Sequence, residues 1–336
     1  MSTAAIEARE AKNEDHSSGL RRRPASPTLT VLAFGAIYFI WGSTYLAIRI
    51  ALESFPPFLL GAARHLLFGL VLYSIVQRKS EVRPNSAQWR TAIVTGLLLL
   101  FIGNGGVCVA EGTVPSGVAA LLVATISLWI VLIDWLRPGG SRPLARVVAG
   151  LVLGFAGMVL LVGPAHFGDS GRVDPKGSAI LVVASLAWAF GSMYAKHGPL
   201  PASPFLGVAM QSLAGGIALL IAGLFTGEFT ALHLPSVSLR SCLAIGYLIV
   251  FGSGLGFTAY LHLLKTTAAA RVGTYALVNP VVALVLGWLI VGESITLRTA
   301  SAATVILTAV LLVITAPHTH PAADLPKITL PEAGEA

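Results

Sequence analysis

The sequence predicts an all-α polytopic membrane protein, with ten transmembrane helices as two inverted five-helix repeats and both termini cytoplasmic. Three observations carry this reading. Of 336 residues, 55% are hydrophobic and only 11% are charged, whereas soluble domains carry roughly 25% charged residues; mean hydropathy is +0.80. Apolar runs near the ~20 residues needed to cross the hydrocarbon core recur along the chain. The later runs also partly repeat the earlier ones.

The expected spans are 30–51, 57–77, 91–110, 116–136, 145–163, 178–196, 204–226, 241–264, 270–290 and 298–316. Pro and Gly punctuate the short connections, as at Pro56-Pro57, Pro115, Pro138-Gly139-Gly140 and Pro201. Nothing between the spans is long enough for a soluble domain. The polar ends, 1–29 and 317–336, read as disordered cytoplasmic tails.

Orientation follows from Lys and Arg, which accumulate on cytoplasmic loops. With the N-terminus inside, 16 of the 22 fall inside, among them Arg9, Lys12, Arg21–Arg23, Lys79, Arg142, Arg271 and Lys327. Five fall outside: Arg49, Arg172, Lys176, Arg240 and Arg298. Arg64 is left within the membrane. The net charge of +7 is thus a topology signal and not a nucleic-acid stripe. Cys108 and Cys242 form no disulfide framework or metal spacing, and residues 1–27 show no signal peptide.

An offset of 153 residues superposes Trp135-Leu136 on Trp288-Leu289, Ala149 on Ala302 and Ala156 on Ala309. An offset of 149 places Gly42-Ser43 and Tyr45 on Gly191-Ser192 and Tyr194. The boundary lies near 164–177, giving a first repeat at 30–163 and a second at 178–316. Five spans per copy is an odd number, so the second copy enters from the opposite face. That is an inverted-repeat architecture, used by secondary transporters for alternating access.

Four segments, WGSTYLAIRIALESFPP (41–57), VAEGTVPSGVAALLVATISLWIVLIDWLRP (109–138), LAWAFGSMYAKH (186–197) and YALVNPVVALVLGWLIVGE (275–293), resemble EamA-type permeases of the drug/metabolite transporter superfamily. The likeness spans roughly residues 30–316 and is greatest to YedA-like bacterial inner-membrane permeases. It implies a central cavity formed mainly by the first four helices of each half, and ATP-independent export of small metabolites or toxic compounds across the cytoplasmic membrane. One departure is visible. The family usually has Pro where this chain has Ser127, whereas Pro280 keeps that place in the second half. A weak bend is therefore expected in span 4, since a hydroxyl can bond back along the helix, with Pro280 as the hinge of span 9.

Polar residues inside the spans are the candidate substrate-binding groups, because they are costly there and rarely face lipid. Arg64 lies about seven residues into span 2, roughly 10 Å deep at 1.5 Å per residue. It either snorkels to the headgroups or lines a cavity, paired with a carboxylate. Its neighbour His65 points elsewhere on the helix and reads as a satisfied core residue. Asn104, Cys108 and Glu111 share one face of span 3. Glu111 either caps the outer end in water, gates with Arg64, or binds protons. Trp41, Ser43 and Tyr45 in span 1, Trp188 and Ser192 in span 6, Tyr260 in span 8, and Tyr275 and Asn279 in span 9 complete the set. For each single aromatic, plain packing is the competing reading.

No nucleotide, metal or nucleophile–base motif stands on a credible scaffold, so neither an enzyme nor a cofactor is expected. Gly252 to Gly256 and the Gly150/Gly154 pair read as close helix contacts. Asp134 and Arg137 read as an interfacial pair, and His318 and His320 as a tail feature. The leading expectation is a secondary transporter exporting amino acids, aromatic compounds or drugs. Its partners are a small-molecule substrate and the bilayer, without nucleic acid. Proton coupling through Glu111, His65 or His262, and monomer against homodimer, stay open. The alternatives are a sugar-phosphate importer or exchanger, which should show several buried cations, and a passive channel.

Overall fold

A computed structural model describes residues 27–78, 83–138, 143–162, 173–267, 272 and 274–316. The expectations for the tails, for most of the loop between the repeats, and for Arg9, Lys12, Arg21–Arg23, Lys79, Arg142, Arg172, Arg271, His318, His320 and Lys327 lie outside them.

The described residues form helices joined by short turns, without a strand. Among the described residues, nine helices are long and apolar enough to cross a membrane. They are α1 (Pro27–Ala51), α2 (Pro57–Arg78), α3 (Ser86–Ala110), α4 (Ser116–Leu136), α5 (Ala145–Val162), α6 (Pro175–His197), α7 (Pro204–Phe225), α8 (Leu239–Leu263) and α10 (Leu297–Ile314). Between the last two lies a shorter apolar helix, α9 (Tyr275–Val291).

Local chemistry sets several boundaries. Asn85 and Gln88 form a reciprocal capping box at 2.9 and 3.0 Å, which starts α3 five residues before the expected run. Asp174 caps α6 just ahead of Pro175, Ser238 caps α8 and Thr296 caps α10. Lys196 and His197 occupy the last turn of α6, where helix-end carbonyls favour cations. Gly227 and Gly292, at φ 75° and 71°, end the turns after α7 and α9 in the left-handed region open to glycine.

The helix interruptions are not where proline alone would put them. α9 runs continuously through Pro280. Pro280 is only the sixth residue of that helix, so its missing N–H removes a bond to the first turn alone. The Pro-less copy is the one that breaks, at Thr125, between helical stretches Ser116–Ala124 and Ile126–Leu136. There the Thr125 hydroxyl and backbone N–H both turn to the Leu122 carbonyl. The interruption in span 4 is therefore stronger than the weak bend expected at Ser127. α3 and α8 also widen into π-helical turns, over Gly96–Asn104 and Leu248–Leu255.

The two halves pack against each other throughout. α2 pairs with α7, α5 with α10, α1 with α8 and α9, and α4 with α6 and α9. Small residues permit the approach: a methyl on Gly69 would sit 3.0 Å from the Leu213 nitrogen, and one on Gly150 would sit 3.1 Å from the Ala309 carbonyl. Such contacts are the main source of helix adhesion where lipid is as apolar as leucine.

Two ends of the bundle can be told apart. The connections after α1, α3, α7 and α9 come together at one end, here the odd end. The connections after α2, α4 and α6 lie at the other, the even end. Ser54 to Ser238, and Glu228 to Phe58, are among the contacts joining the odd-end connections. Gln88 to Leu200 and Arg137 to His197 join the even-end ones.

Candidate functional site

Between the halves lies a cavity of about 340 Å³, within the size range of small-molecule sites. Trp41, Tyr45, Arg64, Asn104, Trp188, Tyr260, Tyr275 and Asn279 line it. Both π-helical turns border it, through Leu99, Leu100, Gly103 and Asn104 in α3 and Gly252 and Ser253 in α8. Such turns misalign the backbone ladder and often occur at functional sites. In α8 the Gly252 carbonyl accepts a hydrogen bond from Trp41 Nε1 at 3.1 Å, which fixes the indole across the halves.

Arg64 supplies the charge. It is 7% exposed and donates from Nε to Ser253 Oγ at 3.0 Å. Among the described residues, no carboxylate lies within ion-pairing distance of it; the ion pairs they form are Asp134–Arg137 at 2.7 Å and Glu53–Arg240 at 3.4 Å. The first matches the expected interfacial pair. No Asp, Glu or Lys among the described residues lines the cavity. His65 also lines it, and its Nε2 meets Asn104 Oδ1 at 3.0 Å. It is thus both hydrogen-bonded, as expected, and at the cavity, which the helical-wheel argument had argued against.

The apolar wall is aromatic. Trp41 lies 5.3 Å from Tyr260 and 5.1 Å from Tyr275, centroid to centroid, and the two tyrosines are 6.1 Å apart and near-perpendicular. These separations leave no gap for an ammonium between the rings, so they form one surface. With its amide oriented to satisfy both groups, Asn279 donates to the carbonyls of Tyr38 and Tyr275, each at 3.2 Å. It ties α9 to α1 while its side chain reaches the cavity.

Three expected site residues stand apart from the cavity. Ser43 donates to the Ile40 carbonyl at 2.9 Å and meets the Tyr247 hydroxyl at 2.7 Å. Ser192 donates to the Trp188 carbonyl at 2.8 Å. Both bond back within their own helices, and Ser43 also bridges to α8. Glu111 lies in the odd-end turn after α3, fully buried, with neither carboxylate oxygen hydrogen-bonded. The structure does not bring Arg64 and Glu111 together. The cation nearest the turn is Arg49, which donates to the backbone carbonyls of Glu111 and Gly112. Pro280 adjoins the cavity residue Asn279 but breaks no helix.

Sequence reasoning passed over Gln211 and Ser212, which line the cavity from α7. The signal was present: Gln211 and Ser212 are the polar side chains of a largely apolar α7, and polar groups at such depth face protein or water. No group of three or more His, Cys, Asp or Glu among the described residues could hold a metal ion.

A multi-pass helical protein that encloses a polar-lined cavity between two halves belongs to the class of membrane transport proteins. The comparisons define the family. The profile of the EamA-like transporter family matches residues 28–163 and again 175–315, and the chain belongs to that family. It is 39% identical over 292 residues to the inner membrane transporter YedA of Escherichia coli (strain K12), covering 86% of this chain and 92% of that one. Similarity to the transporter YvbV of Bacillus subtilis (strain 168) is 27% over 306 residues, covering 91% and 97%. A probable amino-acid metabolite efflux pump of Salmonella typhimurium (strain LT2) is 23% identical over 266 residues, covering 77% and 86%. One protein of known crystal structure, 24% identical, shares the fold with a TM-score of 0.56 over 86% of this chain and 98% of that one. The chain is a multi-pass protein of the inner membrane.

Proposed function

We propose that the protein exports small organic molecules bearing a carboxylate and an apolar or aromatic body, by alternating access. The observation that carries this reading is the cavity's charge: one buried guanidinium, no lining carboxylate, and an aromatic wall. A buried cation without an ion-pair partner is stabilised by an anion that enters, while a cationic substrate would meet like charge. Arg64 with Ser253 would hold the carboxylate, and the Trp41–Tyr260–Tyr275 surface would pack the body. Asn104, Gln211 and Asn279 would orient further polar groups. Amino acids and aromatic acids fit this description.

The mechanism follows from ten spans in two inverted copies, 30–163 and 178–316, with both termini cytoplasmic and the odd end outside. The partners exchanged between halves support it. Replacing each helix by its counterpart five places on turns the α1–α9 contact into α6–α4 and leaves α2–α7, α5–α10 and α4–α9 unchanged. Two packings related by that exchange, one closed at each end, would have similar energy. Export is favoured over import by the name of the Salmonella relative. The sugar-phosphate reading is weaker, because Arg64 is the sole Arg or Lys lining the cavity among the described residues. The channel reading is weaker because the odd end is closed by buried side chains.

A thermal-shift screen of the purified protein tests the substrate class, since a ligand that binds only the folded state raises its melting temperature. Aromatic and aliphatic carboxylates, amino acids among them, should stabilise the protein, and Arg64→Ala should remove the shift. Stabilisation by organic cations alone would overturn the reading.

A further inference from the structure

Four helices cap their own N-termini: α3 with Asn85, α6 with Asp174, α8 with Ser238 and α10 with Thr296. α2 and α4 have no such cap. Pro56 and Pro115 precede them, and a prolyl side chain accepts no hydrogen bond. Their free N–H groups are met instead from the other half. Glu228 accepts from Phe58 N at 3.2 Å and from Leu59 N at 2.9 Å. Glu293 accepts from Ser116 N at 2.8 Å, Ser116 Oγ at 2.9 Å and Gly117 N at 3.3 Å. A carboxylate suits such a place, where unpaired N–H groups and the helix dipole both favour negative charge.

The two glutamates reach their helices by the same device. Each directly follows a left-handed glycine, Gly227 or Gly292, and these two are the only positive-φ residues described. Each glycine reverses the chain as a second-half helix ends, and the next residue turns back onto a first-half helix. Space is kept for the second carboxylate: a methyl on Gly287 would run into it and into Ser116 Oγ. Both contacts lie at the odd end. The 153-residue offset that aligns the copies sets Gly139-Gly140 against Gly292-Glu293, so the first copy's sequence has no glutamate matching Glu293.

We propose that Glu228 and Glu293 are positioning residues that hold the odd end of the cavity shut, each latching a second-half turn onto the N-terminus of a first-half helix. Opening that end separates the halves there and breaks five hydrogen bonds to the two carboxylates. The two latches act at the odd end and favour the odd-closed state. The proposal rests on the alternating-access reading.

Labelling from one side at a time tests both. In a Cys108→Ala, Cys242→Ser background, Ser212→Cys places one thiol in the cavity, and a membrane-impermeant maleimide is applied to right-side-out or inside-out vesicles. The parent should label slowly from the odd side. Glu228→Ala with Glu293→Ala should label at least tenfold faster from that side only. Glu→Gln at both sites, which keeps one acceptor each, should restore most of the protection. Gly287→Ala, which leaves both charges in place, should also open the odd side. Parent and variants labelling from the odd side at one detectable rate would overturn the latch and leave alternating access standing. Faster labelling from both sides would reduce the glutamates to general stabilisers and also overturn it. Absence of odd-side labelling in every protein, with even-side labelling present, would overturn both ideas.

Discussion

The two ends of the bundle are held by different physics. At the odd end several cross-links are shielded from water, although the Glu53–Arg240 pair there is exposed. Ser241, fully buried, donates to the Ile50 carbonyl at 3.0 Å, Ser54 accepts from Ser238 N at 3.2 Å, and Glu228, 8% exposed, takes two backbone donors. At the even end Gln88 to Leu200, Arg137 to His197 and Arg146 to Thr315 are all exposed. A buried hydrogen bond is costly to break because its orphaned partner keeps its desolvation penalty, about 1–3 kcal/mol, whereas an exposed one is replaced by water. The shielded contacts of the odd end are therefore the costlier ones to break.

Breaking the cavity itself should have the largest effect. Arg64→Ala is expected to abolish transport in a reconstituted efflux assay, with the protein still inserted. Arg64→Lys should lose at least about tenfold, because a lysine cannot present a guanidinium fork to Ser253 and a carboxylate together. Normal transport by both variants would remove Arg64 from the site.

The next effect sharpens the contrast between ends. Arg49→Ala deprives the Glu111 and Gly112 carbonyls of their donor and should cost about 1–3 kcal/mol in thermal or denaturant unfolding. Arg146→Ala at the even end should cost less than about 0.5 kcal/mol. Equal losses would erase the distinction. Asn85→Ala, which removes the even-end capping box, should fall between them at about 1 kcal/mol.

Glu111 gives the most specific pH signature. Burial, with Glu293 adding to it and Arg49 opposing, raises its carboxyl well above the ordinary range. The folded state thus binds the proton more tightly than the unfolded chain. Its favourable contribution is complete below the ordinary value of about 4.3 and is lost as pH rises through the raised one. Glu111→Gln should accordingly melt higher than the parent at about pH 8, with the gap closing toward pH 5. A gap that widens on acidification would show that Glu111 is charged in the fold. Transport by Glu111→Gln under an imposed pH gradient tests whether this carboxyl couples transport to protons.

Much of the cavity was legible in single residues. Arg64, Asn104 and Asn279 are polar groups deep in apolar runs, and each reaches the cavity because lipid gives it nowhere else to go. Trp41, Tyr260 and Tyr275 could be placed on helices but not against one another, since their mutual packing needs α1, α8 and α9 to meet. Glu111 misled for a physical reason. Its i, i+7 spacing from Asn104 fixes a shared helix face but also sets it about 10 Å farther along the helix, in the odd-end turn after Ala110 and beyond the cavity. Ser127 misled as well, because the break depends on the Thr125 hydroxyl and not on the proline that the first copy lacks.

Composition and span length by themselves determined a multi-pass helical membrane protein, because continuous apolar runs of about 20 residues cross lipid as helices, which satisfy their own backbone. The spacing of its runs also set the register of the helices. Tertiary structure decided which helix ends are capped by their own residues and which by the other half. It also decided that Arg64 meets Ser253 instead of Glu111, and which end of the cavity is sealed. Those choices depend on contacts between residues some 170 to 190 positions apart, and such distances are set by how helices pack, which local sequence does not encode.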